Sequence, residues 1–182
     1  MMPTISNLLN HSVCFDTPLL RVRRMVASDQ TLYWQLYSSK EVMQWIAEPL
    51  TDAQLNTSFA AALHHNNGAL SEMAVESRLY MVIAARPAET AVGLMAVTFK
   101  ADDATADSVT VTAEVGIMLL PAVQRKRLAH EALTGLFQTL SQLSVVNNIV
   151  CNIASDNLAA KKLVSGLGFV YCENSNDYKL QK

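Results

Sequence analysis

Cysteine is scarce in this chain, and its spacing matches no familiar site. The 182 residues include only Cys14, Cys151 and Cys172, without a CxxC pair. An odd, widely spaced set argues against a disulfide framework and against a zinc site, and it favours a reducing environment. The four histidines are scattered too, and the adjacent His64 and His65 precede Asn-Asn-Gly, which is typical of a helix end. We therefore predict a cytoplasmic protein without a metal site.

Charge and long apolar runs are also limited. Charged residues make up 16% of the chain and the formal net charge is −2, so no global charge attracts nucleic acid. The longest apolar runs, such as residues 117–120, are far too short to span a bilayer. Residues 1–15 lack the basic start and the long apolar stretch of a secretory signal. With 51% hydrophobic residues, the composition predicts one globular domain that binds neither nucleic acid nor membrane.

One stretch, residues 114–143, stands out against this background. An apolar strand runs into Pro121, and a helix with apolar residues at helical spacing starts near Leu128. Between strand and helix lie Arg125, Lys126 and Arg127. A helix N-terminus carries partial positive charge, so three cations there are unfavourable unless an anion binds. One interpretation is a phosphate held by free N–H groups and these side chains, and the other is a solvated basic turn.

The rest of the chain alternates between helices and strands, without repeats or linkers. Predicted strands cover residues 19–25, 79–85, 91–100, 109–120, 149–154, 170–172 and 177–180. Ser28-Asp29 is the predicted cap of a helix that continues toward Ile46, and Thr51-Asp52 caps a second helix. A third helix spans residues 128–143, and a short fourth starts near Asn157 and ends at Gly166 and Gly168. Residues 1–17 form a predicted arm, and residues 18–182 form the single folded domain.

Residues 109–120 form the predicted central strand. Its threonines first alternate with apolar residues, and from Ile117 the strand is continuously apolar. Continuous apolar character indicates burial on both faces of a sheet. The order of elements then predicts an α/β protein of the α+β type, with helices on both faces of a mixed sheet.

Two motifs carry a resemblance to a known family. Residues 113–116 lead through Pro121 into Gln-Arg-Lys-Arg-Leu-Ala at 124–129, which is similar to the signature Q/R-x-x-G-x-G/A. Residues 156–163 and Leu-Gly-Phe at 167–169 resemble the pattern N-x-x-S-x-x-L/V-x-E-K-L-G-F. At this spacing, residues 19–180 resemble the GNAT superfamily of N-acetyltransferases, in its RimJ/RimL-like branch. The resemblance implies a single GNAT domain with a mixed, mostly antiparallel sheet of about six to seven strands and about four helices.

The chain departs from the family signature at two glycine positions. Gln124 and Ala129 match, but Arg127 replaces the signature glycine and Arg125 replaces another common one. Glycine lets a phosphate lie against the backbone. Because a helical backbone needs no positive φ, we predict that Arg127 fits the fold. Its side chain then either grips the phosphate or obstructs it.

The resemblance implies acetyl-CoA as the co-substrate. It places against the cofactor the strand residues Met118, Leu119 and Leu120, the turn and helix residues Gln124, Arg125, Lys126, Arg127, Leu128 and Ala129, and also Asn157 and Lys161. The Leu119 amide is the expected donor to the thioester oxygen. Asn157 also suits an ordinary helix cap, and Lys161 equally suits a solvated surface.

Glu114 is the predicted general base, because a charged residue beside an apolar central strand needs a reason and a carboxylate there takes a proton from the amine. A salt bridge or an outward position explains it equally well. Acetylation of Cys151 is the covalent alternative, although a buried strand cysteine fits the role of a small hydrophobe better. Val164 stands where many relatives have an acidic tyrosine, and Ala160 replaces a frequent serine. Solvent or the departing ammonium then supplies the last proton.

These features predict an N-acetyltransferase that moves acetyl to a primary amine by direct attack. The acceptor stays open between a protein N-terminus, a polyamine and an antibiotic amine, and a homodimer is compatible with the resemblance. The alternative is a non-catalytic GNAT-like protein that binds acyl-CoA and has a regulatory role. Trp34, Tyr37 and Trp45 are predicted core residues, although the first helices of this family wall the acceptor groove.

Overall fold

The computed structural model describes residues 13–68, 76–102 and 110–180. These residues form one eight-stranded sheet in the spatial order β1-β2-β3-β4-β5-β6-β8-β7. The strands are β1 (Phe15–Asp16), β2 (Leu20–Arg24), β3 (Glu76–Ala85), β4 (Thr90–Ala101), β5 (Val111–Leu119), β6 (Val146–Cys151), β7 (Phe169–Cys172) and β8 (Asp177–Leu180). β5 and β6 are parallel and the other neighbours are antiparallel, which confirms a mixed, mostly antiparallel sheet. The strand count is eight rather than the predicted six to seven.

Helices cover both faces of this sheet, as predicted. The described residues form five of them, α1 (Gln30–Tyr37), α2 (Lys40–Met43), α3 (Asp52–Gly68), α4 (Leu128–Ser141) and α5 (Leu158–Gly166). The apolar stripe of α4, which includes Leu133, Leu136 and Leu140, packs in one core cluster that also contains Val164 of α5. A second core cluster joins α1 and α3 to the opposite face. In the described part of the chain, no helix has both the length and the apolar character needed to cross a membrane.

The first helical region differs from its prediction. The helix breaks after α1 because Ser39 caps a new one, accepting a hydrogen bond from the Val42 N–H at 3.3 Å. After α2 the chain leaves helical structure, so Trp45 and Ile46 are 43% and 56% exposed. Trp45 is therefore not the core residue that was predicted, whereas Trp34 packs against the α1–α3 cluster.

Asp29 does not cap α1 with its side chain as predicted. The buried carboxylate accepts hydrogen bonds from the Val26 N–H at 2.8 Å and from the two terminal nitrogens of Arg23 at 2.8 and 2.7 Å. Burial raises the pKa of Asp29, but the Arg23 guanidinium and the Val26 N–H outweigh it and hold the pKa below its ordinary value. Asp29 therefore fixes the connection between β2 and α1.

The last residues of the predicted N-terminal arm contact the sheet. Val13 is buried and Phe15 pairs with Val22 of β2, so residues 13–17 pack onto the domain. The other residues of the predicted arm, the segment 69–75 and residues 103–109 lie outside the described residues. For residues 1–12 the arm stays a prediction.

β5 separates from β6 halfway along its length. It pairs with β4 over residues 111–119, whereas its pairing with β6 ends at Glu114↔Val150. Residues 115–119 therefore have an open edge on the β6 side. The apolar run there is not buried on both faces, and that prediction was wrong: Gly116 is exposed, and Ile117 and Met118 are half-buried. These residues are apolar because they line an opening.

The backbone of β5 points alternate amides into this opening. The Leu120 N–H donates to the Val92 carbonyl of the β4 side at 2.9 Å, whereas the Val111 N–H donates away from β4, to Val145, at 2.8 Å. In an antiparallel ladder the two directions alternate, so even-numbered residues of β5 bond to β4 and odd-numbered residues face β6. The Leu119 amide therefore faces the open edge.

Two glycines beside the opening give a matched pair of predictions. A Cβ at Gly93 of β4 would collide with the Met118 carbonyl oxygen of β5, whereas a Cβ at Gly116 meets no atom within 4 Å. We expect Gly93→Ala to lower the free energy of unfolding by about 2–3 kcal/mol, because backbone has to move. We expect Gly116→Ala to change it by less than about 0.5 kcal/mol. Urea denaturation of both variants measures this difference, and equal midpoints would contradict the close approach at Gly93.

Candidate active site

A cavity of roughly 580 Å³ lies where β5 and β6 separate. Its lining comes from both faces of the sheet. The α1–α3 side contributes Tyr37, Tyr80 and Ala96, and the α4–α5 side contributes Leu133, Cys151 and Val164. We call it the through-sheet cavity, because the gap between the strands connects the two faces.

A row of polar side chains crosses the floor of this cavity. Arg78 of β3, Thr98 of β4 and Glu114 of β5 are successive cross-strand partners, and all three line the cavity. The Arg78 Nε donates to the Thr98 Oγ1 at 3.0 Å, and its Nη1 donates to the Tyr80 hydroxyl at 3.4 Å. Sequence reasoning missed Arg78, Tyr80 and Thr98. The available signal was the spacing of two residues between Arg78 and Tyr80, which places both side chains on one face of β3.

Glu114 forms a salt bridge, which is the structural role predicted from the sequence as the alternative to a general base. Its Oε2 lies 2.6 Å from the Lys100 Nζ, and the two side chains are 34% and 49% exposed. An exposed pair of this kind stabilises a fold by about 0–1 kcal/mol, so stability alone gives it little reason to be here. Glu114 also lies at the last residue before the strands separate and lines the cavity. The position therefore suits both interpretations.

The basic turn, residues 124–129, keeps the shape that glycine would favour. Arg125 and Arg127 have φ angles of 61° and 65°, in the left-handed region, so the expectation of a helical backbone at Arg127 was wrong. Their side chains and that of Lys126 are exposed. Within the described residues, no acceptor is recorded for these three side chains or for the backbone N–H groups from Arg125 to His130. Left-handed residues before a helix gather N–H groups into an anion-binding concavity.

The remaining residues of the turn fasten it to β5 and the core. The Gln124 Nε2 donates to the Leu119 carbonyl at 3.1 Å, on the open side of β5. Leu128 and Ala129 are half-buried against the core cluster. Leu119 and the turn are thus held together, whereas the Leu120 N–H is already bonded across to Val92. By the alternation along β5, the Met118 backbone also faces β4, so only its side chain reaches the cavity.

α5 closes the far wall of the cavity. Asn157 caps this helix by accepting a hydrogen bond from the Ala160 N–H at 3.1 Å, and it also lines the cavity. Lys161 is half-buried on the first turn and does not line the cavity. Ala160 and Val164 present only apolar groups. This wall therefore has no hydroxyl at the two positions where similar sequences often have serine and tyrosine.

Two ionisable groups in the cavity are held neutral. Burial raises the pKa of the Cys151 thiol to about 12, with further contributions from the nearby Glu114 and Asp177 carboxylates. A thiol with this pKa is a poor nucleophile at neutral pH, which favours the small-hydrophobe interpretation. Burial likewise raises the pKa of Tyr37, whose ring stacks on Tyr33 at a centroid distance of 4.2 Å. Among the described residues, no group of three or more His, Cys, Asp or Glu side chains is placed to hold a metal ion.

A second space adjoins the through-sheet cavity beside the segment that contains α2. This outer hollow, of roughly 640 Å³, lies between residues 40–49 and residues 154–156. Trp45, Ile46 and Ala154 line both spaces, so these residues form the boundary that the outer hollow shares with the through-sheet cavity.

Comparison with known proteins supplies a family for this geometry. The profile of the acetyltransferase (GNAT) domain family matches residues 20–170. Among curated proteins, none matches the chain.

Several solved structures are similar in fold. A spermidine N-acetyltransferase from Vibrio cholerae, in complex with CoA and spermine, has 19% identity and a TM-score of 0.65, covering 84% of this chain and 82% of that one. An acetyltransferase from Agrobacterium tumefaciens has 14% identity and a TM-score of 0.68, covering 93% and 94%. A Salmonella typhimurium acetyltransferase that modifies the N-terminal serine of ribosomal protein L7/L12 has 14% identity and a TM-score of 0.63, covering 85% and 82%.

Proposed function

The chain belongs to the acetyltransferase (GNAT) domain family, and we propose that it transfers acetyl from acetyl-CoA to a primary amine by direct attack. The observation that carries this proposal is the through-sheet cavity beside the basic turn. An acetyl-CoA that enters along β5 from the α4–α5 side presents its thioester at the gap, and an amine reaches it from the α1–α3 side. The similar Vibrio enzyme is described in complex with CoA and spermine, which supports a site for both a CoA compound and an amine.

The basic turn is the proposed seat of the cofactor's diphosphate. In this proposal the amides from Arg125 to Ala129 bind one anion, and the exposed side chains of Arg125, Lys126 and Arg127 add positive charge. Arg125 and Arg127 have the left-handed φ angles that glycine would adopt. Replacing glycine by arginine at these two positions therefore leaves the backbone concavity of the turn open. Lys161, on the first turn of α5, is a proposed outer contact of the phosphates.

The open edge of β5 is the proposed partner of the pantetheine arm. Odd-numbered amides face this edge, so Leu119 rather than Met118 or Leu120 offers its N–H to the cofactor. We assign the Leu119 amide to the pantetheine or to the thioester oxygen, which gains negative charge during attack. The Met118 and Asn157 side chains line the cavity and contact the arm from either side.

Glu114 is the proposed general base. The amine nitrogen attacks the thioester carbon, the new C–N bond forms, and the C–S bond breaks to release the CoA thiolate. Glu114, directly or through water, takes the proton that the attacking amine loses. The thiolate takes a proton from solvent, because Val164 offers none. The neutral Cys151 thiol has no covalent part in this sequence.

The missing hydroxyl on α5 favours one alternative, a protein that binds acyl-CoA without transferring the acyl group. Val164 and Ala160 give the cavity wall no proton donor at the predicted acid and serine positions. The two functions share the cofactor site and differ only in turnover. Release of free CoA thiol in the presence of an amine therefore separates them.

Acetyl-CoA binding is the first test of the proposal. At 100 times its dissociation constant, acetyl-CoA should raise the free energy of unfolding by about 2.7 kcal/mol, because it binds only the folded chain. A thermal shift with acetyl-CoA measures this, with adenosine as the control that lacks diphosphate and pantetheine. No shift at millimolar acetyl-CoA would contradict both the transferase and the binding alternative.

A further inference from the structure

The acceptor side of the site has an apolar rim. Trp45 and Ile46 lie at the junction of the through-sheet cavity and the outer hollow, and they remain 43% and 56% exposed. Burying such surface against a ligand is favourable by about 25 cal/mol per Å². A roughly 640 Å³ hollow beyond them is larger than the attacking amine alone needs. The rim therefore fits an extended acceptor with a large apolar group near its amine.

The charges around the acceptor side do not suit a polycation. The described lining of the through-sheet cavity contains one carboxylate, Glu114, and one guanidinium, Arg78. Lys100 pairs with that carboxylate at 2.6 Å. The outer hollow adds Lys40, Glu48 and Asp156, so the two spaces lack the strong negative excess that several ammonium groups require.

The guanidinium of Arg78 is directed toward the reacting end of the floor. β4 lies between β3 and β5, so the Cα atoms of Arg78 and Glu114 are about 10 Å apart. The Arg78 Nε bonds to Thr98 at 3.0 Å, and Thr98 is the direct cross-strand neighbour of Glu114. The Arg78 guanidinium and Glu114 are therefore separated by the side chain of Thr98, and both line the through-sheet cavity.

An extended peptide can contact the apolar rim and the Arg78 guanidinium at once, because its successive side chains point to opposite sides. Resting on the proposed function, we infer that the acceptor is a polypeptide N-terminus whose first residue is large and apolar and whose second residue is acidic. The first side chain packs against Trp45 and Ile46 at the rim, and the second carboxylate pairs with Arg78 on the floor. Polyamines are poor acceptors.

The test measures CoA thiol release by the full chain with a matched set of acceptors. The acceptors are tetrapeptides beginning Leu-Asp, Leu-Asn, Leu-Lys and Ala-Asp, together with spermidine. We expect kcat/KM to fall about tenfold from Leu-Asp to Leu-Asn, as for loss of a charged hydrogen bond. We expect a fall of about tenfold from Leu-Asp to Ala-Asp, for the lost apolar contact. Spermidine should be slower than Leu-Asp by about 100-fold.

Two variants assign these preferences to residues. Arg78→Met should reduce the Asp-to-Asn ratio to about one, whereas a merely structural role would lower both rates equally. Trp45→Ala should reduce the Leu-to-Ala ratio in the same way, with Tyr171→Ala as a matched control at an exposed aromatic outside the cavity. An unchanged thermal shift with acetyl-CoA shows that each variant folds.

The outcomes separate the two proposals. Spermidine faster than the Leu-Asp peptide, or a wild-type Asp-to-Asn ratio of one, would overturn the inferred acceptor while leaving acetyl transfer intact. Preferences that persist in Arg78→Met and Trp45→Ala would overturn the assignment to these residues. Acetyl-CoA binding without thiol release from any amine would instead contradict the transferase function.

Discussion

Glu114→Gln is expected to lower kcat by about 10²-fold or more, because the amide cannot take a proton from the attacking amine. Glutamine has nearly the same size and still accepts a hydrogen bond from Lys100, so the floor of the cavity should keep its shape. The KM for acetyl-CoA should change little, because Glu114 is not among the proposed cofactor contacts. Steady-state thiol release over a range of acetyl-CoA concentrations measures both kcat and KM.

Lys100→Met is the matched control for Glu114. It breaks the same 2.6 Å salt bridge but leaves the carboxylate in place. If Glu114 acts only through the salt bridge, the two variants should have equal activity. If Glu114 is the base, Lys100→Met should keep most of its turnover. Wild-type turnover in Glu114→Gln would remove this residue from the mechanism.

Replacing both Arg125 and Arg127 by glycine is expected to weaken acetyl-CoA binding by about 10²-fold, because two charged hydrogen-bond donors to phosphate are lost. Glycine adopts the observed φ angles of 61° and 65° freely, so the backbone concavity should persist. The substitution therefore separates the side chains from the turn that they belong to. Calorimetric titration at low and high salt measures the effect, and the wild-type affinity should depend more steeply on salt.

Lys126→Gln is the control variant against which the loss of acetyl-CoA affinity in the double glycine variant is compared. It removes one cation from the same turn without touching a left-handed residue, so a smaller loss of affinity is expected. Tighter acetyl-CoA binding in the double glycine variant would mean that the arginines obstruct the cofactor. That outcome would favour the non-catalytic alternative.

The sequence predicts the sheet and helix layers well because periodic burial leaves a local pattern. The stripe on α4 and the existence of the strands before and after it follow from such patterns. The open edge of residues 115–119 has no local signature, because an apolar strand facing a cavity looks like one facing a core. That ambiguity is why burial on both faces was predicted there.

Site residues were predictable where a motif marked them and not where pairing alone brought them together. Gln124 and Asn157 belong to motifs, and the structure gives both of them hydrogen bonds that shape the site. Arg78 and Glu114 lie on the same row of the sheet only because of the pairing register of β3, β4 and β5. That register cannot be read from the sequence. The sequence predicts Trp45 in the core because it predicts one helix that continues toward Ile46, whereas the chain leaves helical structure after Met43.

The gap between β5 and β6 also bears on kinetic order. The cavity between these strands has walls on opposite faces of the sheet, and under the proposed function acetyl-CoA and the amine enter from different faces. Neither has to depart before the other arrives, so both occupy the protein at once in a ternary complex. Double-reciprocal plots for the two substrates should then intersect rather than run parallel.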